Sequence, residues 1–155
     1  MNVKTRPATL KDLEVLLGFE QGVIKFERQF DKTLKPHKTH YYNIPQLITA
    51  KHIQFIVAEY QGKIISCGYA RITTSKPYLK HEQHAYLGFM FVTPNFRGKG
   101  VNKLIIEALK KWIISQNIFE LRLEVYYNNI GAIKAYEKAG FKKHMIEMRL
   151  GDSFE

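Results

Sequence analysis

The segment 92–105, VTPNFRGKGVNKLI, combines two glycines, a proline and three positively charged side chains. It follows an apolar run and precedes a run with helical periodicity, so it should join a strand to a helix. The N-terminus of that helix would present free backbone N–H groups and the positive end of the helix dipole, which bind phosphate. Because Gly98 and Gly100 lack Cβ atoms, a phosphate could approach their backbone closely. A tight surface turn with solvated cations explains the same residues, so this segment alone leaves both interpretations open.

A set of strands and helices must position this segment. Runs rich in β-branched and aromatic residues predict strands, and apolar residues spaced three and four apart predict helices. The predicted strands cover residues 3–8, 53–60, 63–74, 85–92, 119–126 and 141–150. The predicted helices run from about residue 9 to 28, around 46–51, from 101 for about four turns, and from about 129 to 139. Residues 29–45 have no clear period and predict a long loop.

The order of these elements, β-α-α-β-β-β-α-β-α-β, predicts an α/β (α+β) fold. The central strands form a hairpin and should pair antiparallel, whereas the late strand–helix–strand alternation implies a parallel crossover. We therefore expect a mixed, mostly antiparallel sheet with helices on both faces. The length of 155 residues predicts a single domain over 1–155.

Two established phosphate loops do not fit the glycine segment. A P-loop requires four residues between its first glycine and a Gly-Lys-Ser/Thr end, and a dinucleotide fingerprint requires a third glycine where Lys103 stands. A second motif follows after one helix, LEVYYNNIGAIKAYEKAGF over residues 123–141. Together with Arg97-Gly98-Lys99-Gly100-Val101-Asn102, this phrase resembles the GCN5-related N-acetyltransferase (GNAT) family. The second motif matches at every named family position, whereas Asn102 stands where the family has a small residue.

The resemblance implies acetyl-CoA as co-substrate and no metal. It places the pantetheine arm along the backbone of Met90, Phe91 and Val92. The pyrophosphate would lie on backbone N–H groups, with Arg97 at its edge. The residues of this phosphate site are Arg97, Gly98, Lys99, Gly100, Val101, Asn102 and Lys103. Asn129 and Ala132 would contact the cofactor arm, although an asparagine in this place is also typical of a helix N-cap.

The resemblance also implies a direct transfer of the acetyl group to a primary amine in a ternary complex. Tyr136 would be the general acid that protonates the departing thiolate, and it would also border the cofactor. Many family members place the base on the strand before the phosphate loop, but that strand has no carboxylate here. Glu124, in the Leu-Glu-Val phrase, is the proposed base, and a structural glutamate on a sheet face is an equal alternative. Weaker candidates are Glu27, His81 and His84.

The acceptor is less defined than the cofactor. In the family the loop between the first two helices covers the acceptor, and here residues 28–45 carry several cations against the single Asp31. If those cations face the cleft, they favour a small molecule or peptide amine with an anionic group. If they face solvent, they carry no information about the acceptor.

Composition limits the other possibilities. The formal charge of +10 indicates an anionic partner, and the lone Cys67 in an apolar strand predicts a packed thiol rather than a nucleophile. We expect a cytoplasmic monomer or homodimer without membrane or nucleic-acid partners. Two alternatives remain: a family member that binds acetyl-CoA without transferring it, and a basic nucleic-acid-binding module.

Overall fold

The computed structural model describes residues 1–151, which fold around one five-stranded sheet. The strands are β1 (Lys4–Pro7), β2 (Ile53–Tyr60), β3 (Lys63–Thr74), β4 (Gln83–Val92) and β5 (Leu121–Arg122). The helices are α1 (Leu13–Glu27), α2 (Ile44–Thr49), α3 (Val101–Ser115) and α4 (Ile130–Lys138). Short 3₁₀ turns cover Leu10–Asp12 and Pro94–Phe96. This order reproduces the predicted one up to α4.

The strands follow one another across the sheet in chain order, β1-β2-β3-β4-β5. The first four are antiparallel neighbours, and β5 runs parallel to β4 after the α3 crossover. The mixed, mostly antiparallel sheet is therefore confirmed. Because β4 and β5 are parallel, their carboxyl ends lie at the same edge, where the glycine segment also begins.

Helices cover both faces of the sheet, as predicted. On one face, Leu16 and Phe19 of α1 and Ile44 of α2 pack with buried side chains of the central strands such as Val57 and Tyr69. On the other face, α3 packs its apolar stripe against the sheet. The fully buried members of that stripe are Val101, Ile105, Ile106 and Leu109. Cys67 is buried beneath α1, as expected for a packing residue, and burial raises the pKa of its thiol.

An ion pair fixes the start of α1. The carboxylate of Asp12 accepts hydrogen bonds from two guanidinium nitrogens of Arg6, at 2.8 and 2.9 Å. It also accepts the backbone N–H of Thr9 at 2.7 Å, which is one half of a capping box. Arg6 in turn donates to Glu59 on β2, so one guanidinium joins β1, β2 and the first helix.

The C-terminal third has less strand than predicted. Instead of residues 119–126, β5 comprises only Leu121–Arg122, because these two residues pair with Ala85 and Tyr86 and β4 then turns away. Residues 141–150 do not form the predicted final strand. Their apolar side chains find no sheet face to cover, and Ile146 and Met148 remain more than four-fifths exposed. A side-chain contact holds the end of this segment, since Arg149 donates to Asp31 at 3.1 Å.

Candidate active site

A bulge in β4 opens a cleft between β4 and β5. Pairing with β3 shifts register between Cys67 and Tyr69, and opposite this shift Phe89 has a left-handed backbone with φ of 49°. Among the described residues, β4 pairs with β5 only at Ala85 and Tyr86, before the bulge. The last three residues of β4 therefore have a strand edge that β5 does not cover. These residues are Met90, Phe91 and Val92.

Contacts with neighbouring residues hold this strained bulge in place. A left-handed conformation costs a non-glycine residue about 1–2 kcal/mol, and such strain persists only where neighbours enforce it. The Phe89 ring stacks on Tyr42 with 4.4 Å between centroids, and the Cys67 thiol donates to the Phe89 carbonyl at 3.5 Å. On the opposite face, a Cβ on Gly68 would lie 2.3 Å from Met90 Sδ, so this glycine makes room for Met90.

The glycine segment forms an exposed turn at the end of β4. After the Pro94–Phe96 turn, Gly98 and Gly100 take left-handed φ values of 72° and 79°, and Gly100 caps α3. No atom lies within 4 Å of a Cβ built on either glycine, so they are required for backbone conformation rather than for packing. The free N–H groups of the first turn of α3 thus face the carboxyl end of β4.

The positive side chains of the turn occupy different places. Arg97 folds back, donates to the Val92 carbonyl at 3.0 Å and lies over the rings of Phe26 and Phe91 at 5.6 and 5.9 Å. Lys99 and Lys103 are exposed. The turn is therefore an open, positively charged surface next to the uncovered edge of β4.

The side chain of Asn102 has a buried polar atom at this turn. Its Oδ1 atom is buried and has no hydrogen-bond partner among residues 1–151. The neighbouring Val101 is 1% exposed and packs in the core, so only its backbone can take part in binding.

On the opposite wall of the cleft, α4 begins at Asn129, whose Oδ1 accepts the backbone N–H of Ala132 at 3.3 Å. The N-cap interpretation of Asn129 is thus confirmed. Two turns into the helix, Tyr136 packs edge-on against Phe141 with 5.8 Å between ring centroids. Burial and the negative charge of Glu27 raise the pKa of Tyr136 to about 12, so its phenol stays protonated at neutral pH.

Two of the candidate bases border this cleft. Glu124 is exposed, and its charge helps to raise the pKa of Tyr86 to about 12, after burial as the larger cause. Glu27, the last residue of α1, is half-buried, and burial raises its pKa. His81 and His84 lie at the opposite end of β4, where Ser75 Oγ and His84 Nδ1 are 2.8 Å apart, so they are not part of this site.

A buried carboxylate anchors the loop between α1 and α2. Glu20 is fully buried and accepts the backbone N–H groups of Tyr41 and Tyr42 at 3.0 and 2.9 Å. His40 Nδ1 lies 2.7 Å from its other oxygen. Sequence reasoning did not assign this role. A glutamate between apolar positions of α1 was the available signal, because a fully buried carboxylate needs partners.

Within residues 1–151, the lysines and the arginine of this loop make no hydrogen bond to β4, β5 or α4. Lys32, Lys35 and Lys38 are exposed, and Arg28 donates to the carbonyls of Lys35 and His37. The side chain that approaches the cleft is acidic, since Tyr126 donates to Asp31 at 3.4 Å. Hydrogen bonds from Thr33 and the guanidinium of Arg149 lower the pKa of Asp31 to about 2.

A separate cavity lies away from this cleft. It has a volume of about 480 Å³ and lies between residues 81–83 and 116–120, at the opposite end of β4 and β5 from the glycine turn. Within residues 1–151, no group of three or more His, Cys, Asp or Glu side chains is placed to hold a metal ion. Over the same residues, no helix combines the length and apolar character needed to cross a membrane.

Comparisons with known proteins agree with this arrangement. A family model described as the acetyltransferase (GNAT) family matches residues 22–141. A mutant of the BH1408 protein from Bacillus halodurans has a TM-score of 0.88 at 18% identity, over 97% of this chain and 99% of that chain. AAC(6')-Iy in complex with the bisubstrate analog CoA-S-monomethyl-acetylneamine has a TM-score of 0.76 at 20% identity, over 99% of each chain. These two similarities concern the fold.

A similarity in sequence is confined to part of the chain. Streptothricin acetyltransferase from Escherichia coli is 40% identical over 64 residues, which are 41% of this chain. The matched region spans only 37% of the length of that relative.

Proposed function

Because the chain belongs to the acetyltransferase (GNAT) family, whose model matches residues 22–141, we propose that it transfers an acetyl group from acetyl-CoA to a primary amine. The observation that carries this proposal is the cleft between β4 and β5, which opens directly beside the glycine turn of α3. An extended arm can pair with the uncovered edge of β4 while its phosphates reach the N–H groups of α3. Tyr136 on α4 lies across the same cleft.

The residues of the turn suit a pyrophosphate. The left-handed Gly98 and Gly100 expose backbone N–H groups, and Lys99 and Lys103 add positive charge. The Asn102 Oδ1 atom is buried and lacks a partner among the described residues, so the proposal assigns the backbone N–H of Asn102, rather than its side-chain amide, to the phosphate. The exposed position of Arg97, folded over Phe91, allows its guanidinium to move to the edge of the phosphates.

Acetyl-CoA supplies an activated acetyl thioester to this site. The acceptor must arrive as a neutral amine, so a base must take one proton from its ammonium form. In this proposal Tyr136 donates to the sulfur that leaves, and its phenol is protonated at neutral pH. Asn129 and Ala132 begin the helix that carries Tyr136, so they set the position of that wall.

The acceptor side of the cleft favours a cationic amine. Glu27 and Asp31 contribute negative charge there, and Phe30 stacks on Tyr126 with 5.7 Å between ring centroids. The loop cations that suggested an anionic acceptor are exposed to solvent. A small molecule with several amino groups thus fits this surface better than an acceptor with a carboxylate. Streptothricin and neamine, named with the relatives, are the first compounds to test.

A CoA-release assay tests the proposal. Purified protein with acetyl-CoA should release CoA thiol in the presence of streptothricin or neamine, and the product should gain one acetyl group by mass spectrometry. The variant Y136F should lose most of this release. A chain that binds acetyl-CoA in a thermal-shift titration but releases no thiol with any amine is the non-transferring family member. A chain that acetyl-CoA does not stabilise refutes the proposal.

A further inference from the structure

The last two turns of α1 and the residues that follow them contact β4, the glycine turn and the segment after β5. A Cβ on Gly22 would lie 2.8 Å from the Phe91 ring, so the helix packs directly on the end of β4. One turn later, the Phe26 ring lies under the guanidinium of Arg97 from the glycine turn. Just beyond the helix, Phe30 stacks on Tyr126. Glu27 stands between these last two contacts and ends the helix beside the cleft.

Glu27 differs from the other buried carboxylate of α1. Glu20 has three hydrogen-bond partners within 3.0 Å, whereas Glu27 is half-buried and its hydrogen bonds from Phe30 and Asp31 involve only its backbone carbonyl. Four phenols from three elements lie close enough to the Glu27 carboxylate for its charge to raise their pKa values. They are Tyr41 and Tyr42 in the loop, Tyr126 after β5 and Tyr136 on α4.

The carboxylate of Glu20 holds the two loop phenols, Tyr41 and Tyr42, in place. Glu20 fixes the backbone N–H of Tyr41 and of Tyr42, and the two rings meet edge-on with 5.7 Å between centroids. The Tyr41 hydroxyl is buried and has no hydrogen-bond partner of standard geometry among the described residues. It still lies close enough to Glu27 to lower the pKa of the carboxyl, against the larger effect of burial.

We propose that Glu27, rather than Glu124, takes the proton from the acceptor amine, with Tyr41 as its positioning residue. The inference rests on the proposed function. The Glu27 carboxylate removes one proton from the acceptor ammonium, and the neutral nitrogen then attacks the thioester carbonyl. As the C–S bond breaks, Tyr136 donates a hydrogen bond to the departing thiolate, and the proton released by the acetylated nitrogen passes to that sulfur. One proton thus leaves through Glu27 and one ends on the CoA thiol.

Glutamate-to-glutamine variants at three positions test this assignment. E27Q should reduce kcat with streptothricin or neamine by about 100-fold or more at neutral pH, which is the usual range for a lost general base. E124Q should stay within about threefold of wild type. E14Q is the matched control, because Glu14 is an exposed glutamate on the same helix. Acetyl-CoA binding by thermal shift should be unchanged in all three, which also shows that each variant folds.

The basicity of the amine separates catalysis from packing. If Glu27 removes a proton, the defect of E27Q should shrink at higher pH and for weakly basic amines that are already neutral. A defect that is equal for all amines and at every pH overturns the proposal, as does full activity of E27Q beside an impaired E124Q. If the wild-type protein releases no thiol with any amine, the proposed function fails and this proposal fails with it.

A second variant and a spectroscopic signal do not depend on E27Q. Y41F removes the hydroxyl that favours the charged carboxylate, so the acid limb of the kcat/KM profile should move to higher pH. Groups that lie near Glu27 and also affect this limb are Asp31, Tyr42, Tyr126 and Tyr136. In ¹³C-carboxyl-labelled protein, the Glu27 resonance should titrate above the ordinary glutamate range and respond to neamine. A resonance that titrates in the ordinary range overturns the assignment.

Discussion

Replacing Tyr136 by phenylalanine removes one hydroxyl and leaves its packing on Phe141 intact. The proposed role of the hydroxyl is to stabilise the thiolate that leaves. Since burial raises the pKa of Tyr136 to about 12, and an ordinary thiol has a pKa of about 8.5, complete proton transfer to the thiolate is unfavourable by about 3.5 units. This difference corresponds to about 5 kcal/mol.

The dominant contribution of Tyr136 should therefore be a hydrogen bond to the developing thiolate. A hydrogen bond to a charged group contributes about 1.5–3 kcal/mol, and each 1.36 kcal/mol in the barrier is a factor of ten in rate. Y136F should thus lower kcat by about 10- to 150-fold. The affinity for acetyl-CoA and the melting temperature should remain near those of wild type, because only the hydroxyl is lost.

Stopped-flow or steady-state thiol release measures kcat, and calorimetry measures the affinity for acetyl-CoA. A loss below about threefold refutes the placement of Tyr136 at the leaving sulfur. A loss above about 10⁴-fold refutes the argument that a hydrogen bond dominates, because that magnitude requires full proton transfer. The pH profile adds a check. With a pKa near 12, ionisation of Tyr136 cannot cause a fall in kcat below about pH 10, and Y136F must keep any such alkaline limb.

Three further predictions concern the elements that shape the site. G100A should weaken acetyl-CoA binding by about 5- to 30-fold in calorimetry, because alanine costs about 1–2 kcal/mol in the left-handed conformation of Gly100. The control G131A, on the exposed face of α4, should bind acetyl-CoA as wild type does. E20Q should lower the free energy of unfolding by about 1–3 kcal/mol and speed hydrogen exchange at the amides of Tyr41 and Tyr42, whereas unchanged exchange there contradicts the anchor. D12N should cost about 1–2 kcal/mol at neutral pH. The hydrogen bonds from Arg6 lower the pKa of Asp12 in the folded state. The stabilisation by Asp12 is therefore fully present above the pKa of the unfolded state, and it is lost as pH falls through the pKa of the folded state. In urea titrations, the free energy of unfolding of D12N should depend less steeply on acid pH than that of wild type.

The sequence predicted most of the elements, because their patterns are local. The bounds of β2 and β3 were predicted to the residue, and the apolar spacing of α3 matches its buried stripe. The two motifs also predicted the glycine turn and α4. The acetyltransferase (GNAT) family that they indicated is confirmed. Turn glycines and helix periodicity depend on neighbours in sequence, so they can be interpreted from the chain alone.

The features that sequence reasoning missed depend on contacts between distant residues. The residue type of Phe89 does not indicate its positive φ, which Tyr42 and Cys67 impose from other elements. The available signs of a bulge were Gly68 inside β3 and Gly88 inside β4, because a glycine inside a strand often marks close approach of a neighbour. The predicted strand 119–126 alternates apolar and polar residues as a strand should. Apart from Leu121–Arg122, neither it nor the predicted strand 141–150 has a pairing partner among the described residues.

The net charge can be derived from the sequence, whereas the positions of the charged side chains depend on the fold. The net charge of +10 suits the anionic phosphates proposed for the glycine turn, where Lys99 and Lys103 are exposed. The same composition suggested an anionic acceptor, because the loop of residues 28–45 is rich in cations. The fold directs those cations to solvent and brings Asp31 to Tyr126, while Glu27 ends α1 beside Tyr136. In the proposed complex, the anionic phosphates of acetyl-CoA would therefore meet the lysines of the glycine turn, and a cationic acceptor would meet Glu27 and Asp31 on the other side of the cleft.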